Sequence, residues 1–175
     1  GMGRELAMTG KFVVFSIDYR FIRNGDGSDV PVEMYQIIED VYGAIAHIME
    51  HAALYGGDAT RLFVTGDSAG GHLSAAAINF ANFIGDGGYG SSYGIYEFKP
   101  TYIPQGKTTA QIRNEICQSL LGAVPTYPVL TENALMRFYN SDFEKIRHIT
   151  PICFIPKVTE RRVPQLIIRG TQDGL

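Results

Sequence analysis

Gly66-Asp67-Ser68-Ala69-Gly70 places a serine between residues small enough for an abnormally sharp turn. The pentapeptide follows the apolar run Arg61-Leu62-Phe63-Val64-Thr65 and precedes a helical pattern. A serine lifted on a tight strand-to-helix turn presents its hydroxyl for attack on an acyl carbon. Gly66, Ala69, Gly70 and Gly71 supply the small, backbone-tolerant flanks that such a turn needs. Gly-x-Ser-x-Gly alone arises often by chance, and an ordinary glycine turn is the alternative. Its position between a strand and a helix is what makes Ser68 a candidate nucleophile.

A serine hydroxyl needs a base, so the four histidines matter next. His72 lies four residues past Ser68 and points along the same helix, which suits a structural role. His47 and His51 form an i, i+4 pair of the kind that binds metal, but no third ligand is evident in the sequence. They read as surface or packing residues, and no metal or cofactor is expected. His148 precedes Thr150-Pro151 in a stretch without a clear pattern. Asp67 flanks Ser68 and reads as a partner of nearby backbone. Asp18 and Arg20 read as an ion pair at a strand end, Asp58 as a turn residue, and Asp40 as a helix-face carboxylate. Tyr89, Tyr93, Tyr96 and Tyr102 suit either a loop packed on the core or an acyl pocket. Cys117 and Cys153 fit no metal-ligand spacing. They read as two thiols, with one disulfide left open, and cytoplasm is the default compartment.

The elements that must position these groups follow from apolar spacing. Phe12–Ile17 is a near-continuous apolar run suited to a strand buried on both faces. Residues 23–30 carry loop chemistry. From Pro31 to about Tyr55 the apolar residues recur at helical spacing, and Gly56-Gly57 stop that helix. Leu62–Thr65 is a strand, and Ala69 to about Phe83 a helix whose Ala75-Ala76-Ala77 stretch packs closely. Gly85 to Gly94 is loop, and Ile95–Lys99 a short strand. Thr108–Leu121 reads as a helix broken by Pro125 to Pro128. Thr131–Tyr139 reads as a shorter helix with Thr131 as its N-cap. Gln165–Arg169 is another buried strand. Alternating strands and helices predict an α/β domain with a mainly parallel sheet flanked by helices.

Bulk composition agrees with this class. The 175 residues are 45% hydrophobic and 19% charged, which fits one folded domain with a core. A net charge of −3 provides no basic footprint for nucleic acid. No apolar run is long enough to span a bilayer.

Together these residues resemble the α/β-hydrolase fold, in the esterase/lipase branch related to hormone-sensitive lipase and small carboxylesterases. Val13-Val14-Phe15-Ser16-Ile17-Asp18-Tyr19-Arg20 is similar to that branch's fourth strand. Tyr55-Gly56-Gly57-Asp58-Ala59-Thr60-Arg61 is similar to the lead-in to its fifth. Gly66-Asp67-Ser68-Ala69-Gly70-Gly71-His72-Leu73 resembles its nucleophile elbow nearly letter for letter. Val163 to Asp173 resembles the strand that delivers the triad acid.

The resemblance implies hydrolysis of carboxylic esters, with Ser68 as nucleophile, Asp173 orienting a histidine, and the Ala69 N–H as an oxyanion donor. It needs no cofactor. An amidase, formamidase or peptidase of the same fold, and a non-catalytic binding domain with an inert elbow, stay open. The family's histidine follows its acid, and its His-Gly-Gly-Gly segment precedes the fourth strand; neither is present here. The chain therefore reads as a single partial domain over 1–175, with residues 85–160 holding cap-like or insertion helices, and no histidine of this chain as the base. Three expectations follow. The polypeptide alone is inactive or nearly so. The strand Phe12–Ile17 can slide beside Leu62–Thr65. The uncovered sheet face or open edges join copies into a homo-oligomer.

Overall fold

The computed structural model describes residues 2–21, 32–85, 97–135 and 143–173. Helix α1 (Met2–Met8) buries none of its residues. Helix α2 (Met34–His51) continues into a 3-10 turn over Ala52–Tyr55. Gly56 ends it in the left-handed conformation at φ 77°, as the Gly56-Gly57 signal predicts. Strand β1 (Leu62–Asp67) leads through Ser68 into α3 (Ala69–Asn79). The expected single helix to Phe83 instead closes as a 3-10 turn over Ala81–Phe83. Then come α4 (Thr109–Ser119), β2 (Leu120–Thr126), α5 (Glu132–Leu135) and α6 (Phe143–His148). The proposed helix over Thr131–Tyr139 is seen for Glu132–Leu135, and its remainder lies outside the described residues.

Strand β2 corrects the sequence reading, which gave Leu120 and Leu121 to a helix and took Pro125 as a breaker. β2 pairs in parallel with β1, from Leu62 opposite Leu120 to Asp67 opposite Thr126. Its glycine and proline hid it. A Cβ on Gly122 would come within 3.1 Å of the Phe63 ring and 3.3 Å of the Pro164 carbonyl, so glycine suits the close approach of its neighbours on both sides. Pro125 lacks an N–H and contributes its carbonyl, which accepts from the Ile168 N–H at 3.0 Å.

The expected strand at Gln165–Arg169 forms only two parallel bridges on the far side of β2, Gln165 to Ala123 and Ile168 to Thr126. The sheet order is therefore β1, β2, then the 163–169 segment. Phe12–Ile17 does not form the predicted strand and does not pair with β1. Phe12, Val13 and Val14 are exposed, whereas Ile17 and Tyr19 lean on the core. An apolar run becomes a strand only when a neighbour satisfies its backbone groups. Arg20 anchors this segment to α2, its Nε and Nη2 donating to the Asp40 carboxylate at 2.8 and 2.7 Å. That pair replaces the expected Asp18–Arg20 pairing. Of the short strand at Ile95–Lys99, the described part is one bridge from Phe98 to Ile84.

The core lies between α2, α3 and α4. Ala75, Ala76 and Ala77 are buried, and their small size lets α2 approach. Tyr42 is fully buried there and donates its hydroxyl to the Ala76 carbonyl at 3.1 Å. Thr108 caps α4, its hydroxyl accepting from the Gln111 N–H at 3.2 Å. The opposite side of the sheet is open, with Phe63, Leu166 and Ile168 each about half exposed or more.

Candidate active site

The elbow is built as the sequence requires. Ser68 has φ 52° and ψ −113°, a positive-φ conformation outside the usual left-handed well. Its N–H donates to the Thr126 carbonyl at 3.1 Å, and its carbonyl accepts from the His72 N–H at 3.0 Å. The turn is therefore tied to the end of β2 and to the first turn of α3. A Cβ on Gly66 would lie 2.6 Å from the Gly70 carbonyl carbon, and one on Gly71 would lie 2.7 Å from the Thr126 oxygen. Both neighbours are backbone and cannot yield, so these two glycines are sterically required. Gly70 is different, since a Cβ there meets nothing within 4 Å.

Ser68 is exposed, and its hydroxyl has no hydrogen-bond partner among the described residues. The Ala69 N–H begins α3 and has no backbone acceptor among them. It is thus a free donor at a helix N-terminus, where partial positive charge favours an anion. Asp67 does not bond nearby backbone as the sequence reading expected. Its carboxylate accepts the Tyr127 hydroxyl at 2.7 Å from just beyond β2. Tyr127 itself holds a φ of 35°, and its N–H donates to the Ile168 carbonyl at 2.6 Å. The bond to Asp67, followed by burial, pushes its phenol pKa upward. Tyr127 carried no signal in the sequence, because the strand before it was not recognised.

Asp173 lies five residues beyond Ile168, which pairs beside Thr126, which in turn pairs beside Asp67. Ser68 and Asp173 therefore both follow the carboxyl ends of parallel segments, with β2 between them. Two strand spacings separate those backbones by roughly 10 Å. The Asp173 side chain is mostly buried and sits 3.7 Å from the Arg169 Nε.

Among the described residues, no histidine side chain is hydrogen-bonded to the Ser68 hydroxyl. His72 is buried, with Nδ1 bonded to the Val129 carbonyl at 2.7 Å and Nε2 buried without a partner. Burial pushes its pKa down to about 4, against the opposing pull of the Val129 carbonyl. His148 is buried against Phe154. His47 and His51 are on α2. Cys117 and Cys153 are both free, and burial raises both thiol pKa values. The cleft of about 740 Å³ between residues 15–20 and α2 does not include Ser68. Of the tyrosines proposed for an acyl pocket, Tyr102 lines this other cleft, and Tyr89, Tyr93 and Tyr96 lie outside the described residues.

The BD-FAE family model matches residues 2–175. The carboxylesterase NlhH of Mycobacterium tuberculosis is 35% identical over 85 residues, covering 48% of this chain and 24% of that protein. A probable isoprenylcysteine alpha-carbonyl methylesterase, ICMEL1 of Oryza sativa subsp. japonica, is 36% identical over 77 residues, 44% of this chain and 16% of that one. This chain thus spans about a quarter or less of the length of these relatives. Among solved structures, Thermogutta terrifontis esterase 2 phosphorylated by paraoxon aligns with a TM-score of 0.50 at 18% identity, covering 90% of this chain and 58% of that one.

Proposed function

This chain belongs to the BD-FAE family and has an α/β-hydrolase fold, and from that premise we propose that Ser68 is the nucleophile of a carboxylic-ester hydrolase. The observation that carries this reading is the Ser68 backbone, strained at φ 52° on a turn that two obligatory glycines make possible. A strained serine between a strand and a helix N-terminus serves acyl transfer better than it serves stability. Relatives named as a carboxylesterase and a methylesterase support an ester as the substrate.

In this mechanism the Ser68 Oγ attacks the ester carbonyl and the Ala69 N–H stabilises the oxyanion. The Asp173 carboxylate orients the histidine that takes the serine proton and returns it to the leaving alcohol, and water then releases the acid. None of the His47, His51, His72 and His148 side chains bonds the Ser68 hydroxyl among the described residues, and in this reading the base is none of them. We accordingly expect this polypeptide alone to turn esters over several orders of magnitude below a complete triad. The test is labelling by a fluorophosphonate probe together with turnover of a p-nitrophenyl ester, with Ser68→Ala as control. Slow labelling confined to Ser68 supports the reading. Labelling at another residue, or turnover indifferent to Ser68→Ala, would overturn it. Fast turnover that Ser68→Ala abolishes would show instead that a base is in place.

The exposed Phe63, Leu166 and Ile168 favour self-association through the open face of the sheet. β1 has no strand on its other edge among the described residues, which adds an unsatisfied ladder. Light scattering at micromolar concentration tests this expectation, and a clean monomer refutes it.

A further inference from the structure

We propose that His47, Glu50 and His51 form a binding site for a divalent transition-metal ion of the zinc class on the outer face of α2. The sequence showed the two histidines, and the fold supplies the third ligand. Positions i, i+3 and i+4 share one helix face. One ligand atom from each of the three residues lies within 4.8 Å of the others. Ligands around a zinc ion with bonds of about 2.0–2.1 Å sit roughly 3.3 Å apart, so modest side-chain rotations close the set.

The surroundings are already arranged for ligation. The two imidazoles stack with centroids 4.2 Å apart. His51 Nδ1 lies 2.8 Å from the His47 carbonyl, which can only accept, and 3.7 Å from Glu50 Oε2, so Nδ1 carries the proton and Nε2, brought to the ion by rotation of the ring, keeps the lone pair. A metal-bound histidine commonly has its other ring nitrogen held by a carbonyl in this way. Tyr102 donates its hydroxyl to Glu50 and packs edge-on to His47 at 5.1 Å. Gly43 makes that approach possible, because a Cβ there would lie 2.8 Å from the Tyr102 backbone nitrogen. His47 and Tyr102 also line the open cleft beside α2, which gives an ion access.

The donor set selects the ion. Two imidazole nitrogens and one carboxylate oxygen suit zinc, nickel, cobalt or copper and leave a position for water. Magnesium and calcium prefer oxygen ligands throughout and are poor occupants. None of these residues belongs to the site around Ser68, so the inference is independent of the ester-hydrolase reading.

The experiment uses tag-free protein, zinc titration by calorimetry, and cobalt substitution read by visible absorption. The expected result is one zinc per chain, with affinity at least tenfold weaker in His47→Ala, in His51→Gln and in Glu50→Gln. Circular dichroism of the metal-free variants should match the wild type, and excess magnesium should not compete. Unchanged affinity in the His47→Ala/His51→Gln double variant would overturn the site. So would a sulfur-to-cobalt charge-transfer band, which would assign the ion to the cysteines. A Glu50→Gln variant that binds like the wild type would overturn the three-ligand arrangement.

Discussion

Replacing Ser68 with glycine should make the protein more stable than replacing it with alanine. Ser68 sits at φ 52° and ψ −113°, where a residue with a Cβ is strained. Such strain costs about 1–3 kcal/mol. Its side chain makes no capping bond to α3, so Ser68→Ala removes no cap and retains the strain. Glycine relieves the strain but restores roughly 0.5–1 kcal/mol of chain freedom to the unfolded state. The difference leaves Ser68→Gly ahead of Ser68→Ala by about 0–2.5 kcal/mol, with about 1 kcal/mol at the centre. In a chain of this length that central value is a rise in Tm of roughly 2–4 °C. Urea unfolding of the two variants, compared at equal m value, measures it. A glycine variant equal to or less stable than the alanine variant would refute the claim that the elbow stores strain.

Two further perturbations separate steric need from sequence pattern and test the buried histidine. Gly66→Ala should lose about 3 kcal/mol, because its Cβ would meet the Gly70 backbone at 2.6 Å, whereas Gly70→Ala meets nothing and should gain about 0.5–1 kcal/mol; denaturant unfolding showing the same sign for both would contradict the geometry. His72 is neutral in the folded protein, its pKa depressed to about 4 against 6.5 when unfolded, so its contribution is fully present above pH 6.5 and is lost as pH falls toward 4. The loss should approach about 1.4 kcal/mol per pH unit across that window, and a His72→Asn variant should show a flatter pH dependence of unfolding free energy.

The elbow was legible because its constraints are local. Gly66, Ser68 and Gly71 are fixed by a clash within a few residues or by the next strand, and a short motif records that. Helices α2 and α4 were legible because each carries its own periodicity, and α2 its stop signal as well, whereas the end of α4 was misplaced into β2. The failures share one physical cause. Phe12–Ile17 has the composition of a buried strand but no partner edge here, so it lies along α2 through Arg20 and Asp40 instead. β2 has the partners but not the composition, since Gly122 and Pro125 are tolerated by the backbones on either side. Strand identity belongs to a pair of segments, and a single segment cannot declare it.

The same reasoning explains what was hidden at the two candidate sites. Tyr127 reaches Asp67 only because β2 pairs beside β1 and brings their carboxyl ends level. Glu50 was not singled out in the sequence as a third ligand beside His47 and His51, and nothing there placed Tyr102 against it. That contact depends on Gly43 letting a segment more than fifty residues away touch α2. In both cases the chemistry-bearing residue is ordinary in sequence, and its neighbour across the fold makes it informative. Substitutions at the neighbour are therefore the sharper probes. A side chain on Gly43 should displace Tyr102 from Glu50 without altering any of the three proposed metal ligands, and weaker zinc binding in Gly43→Ala would show that their surroundings, beyond their spacing, set the affinity.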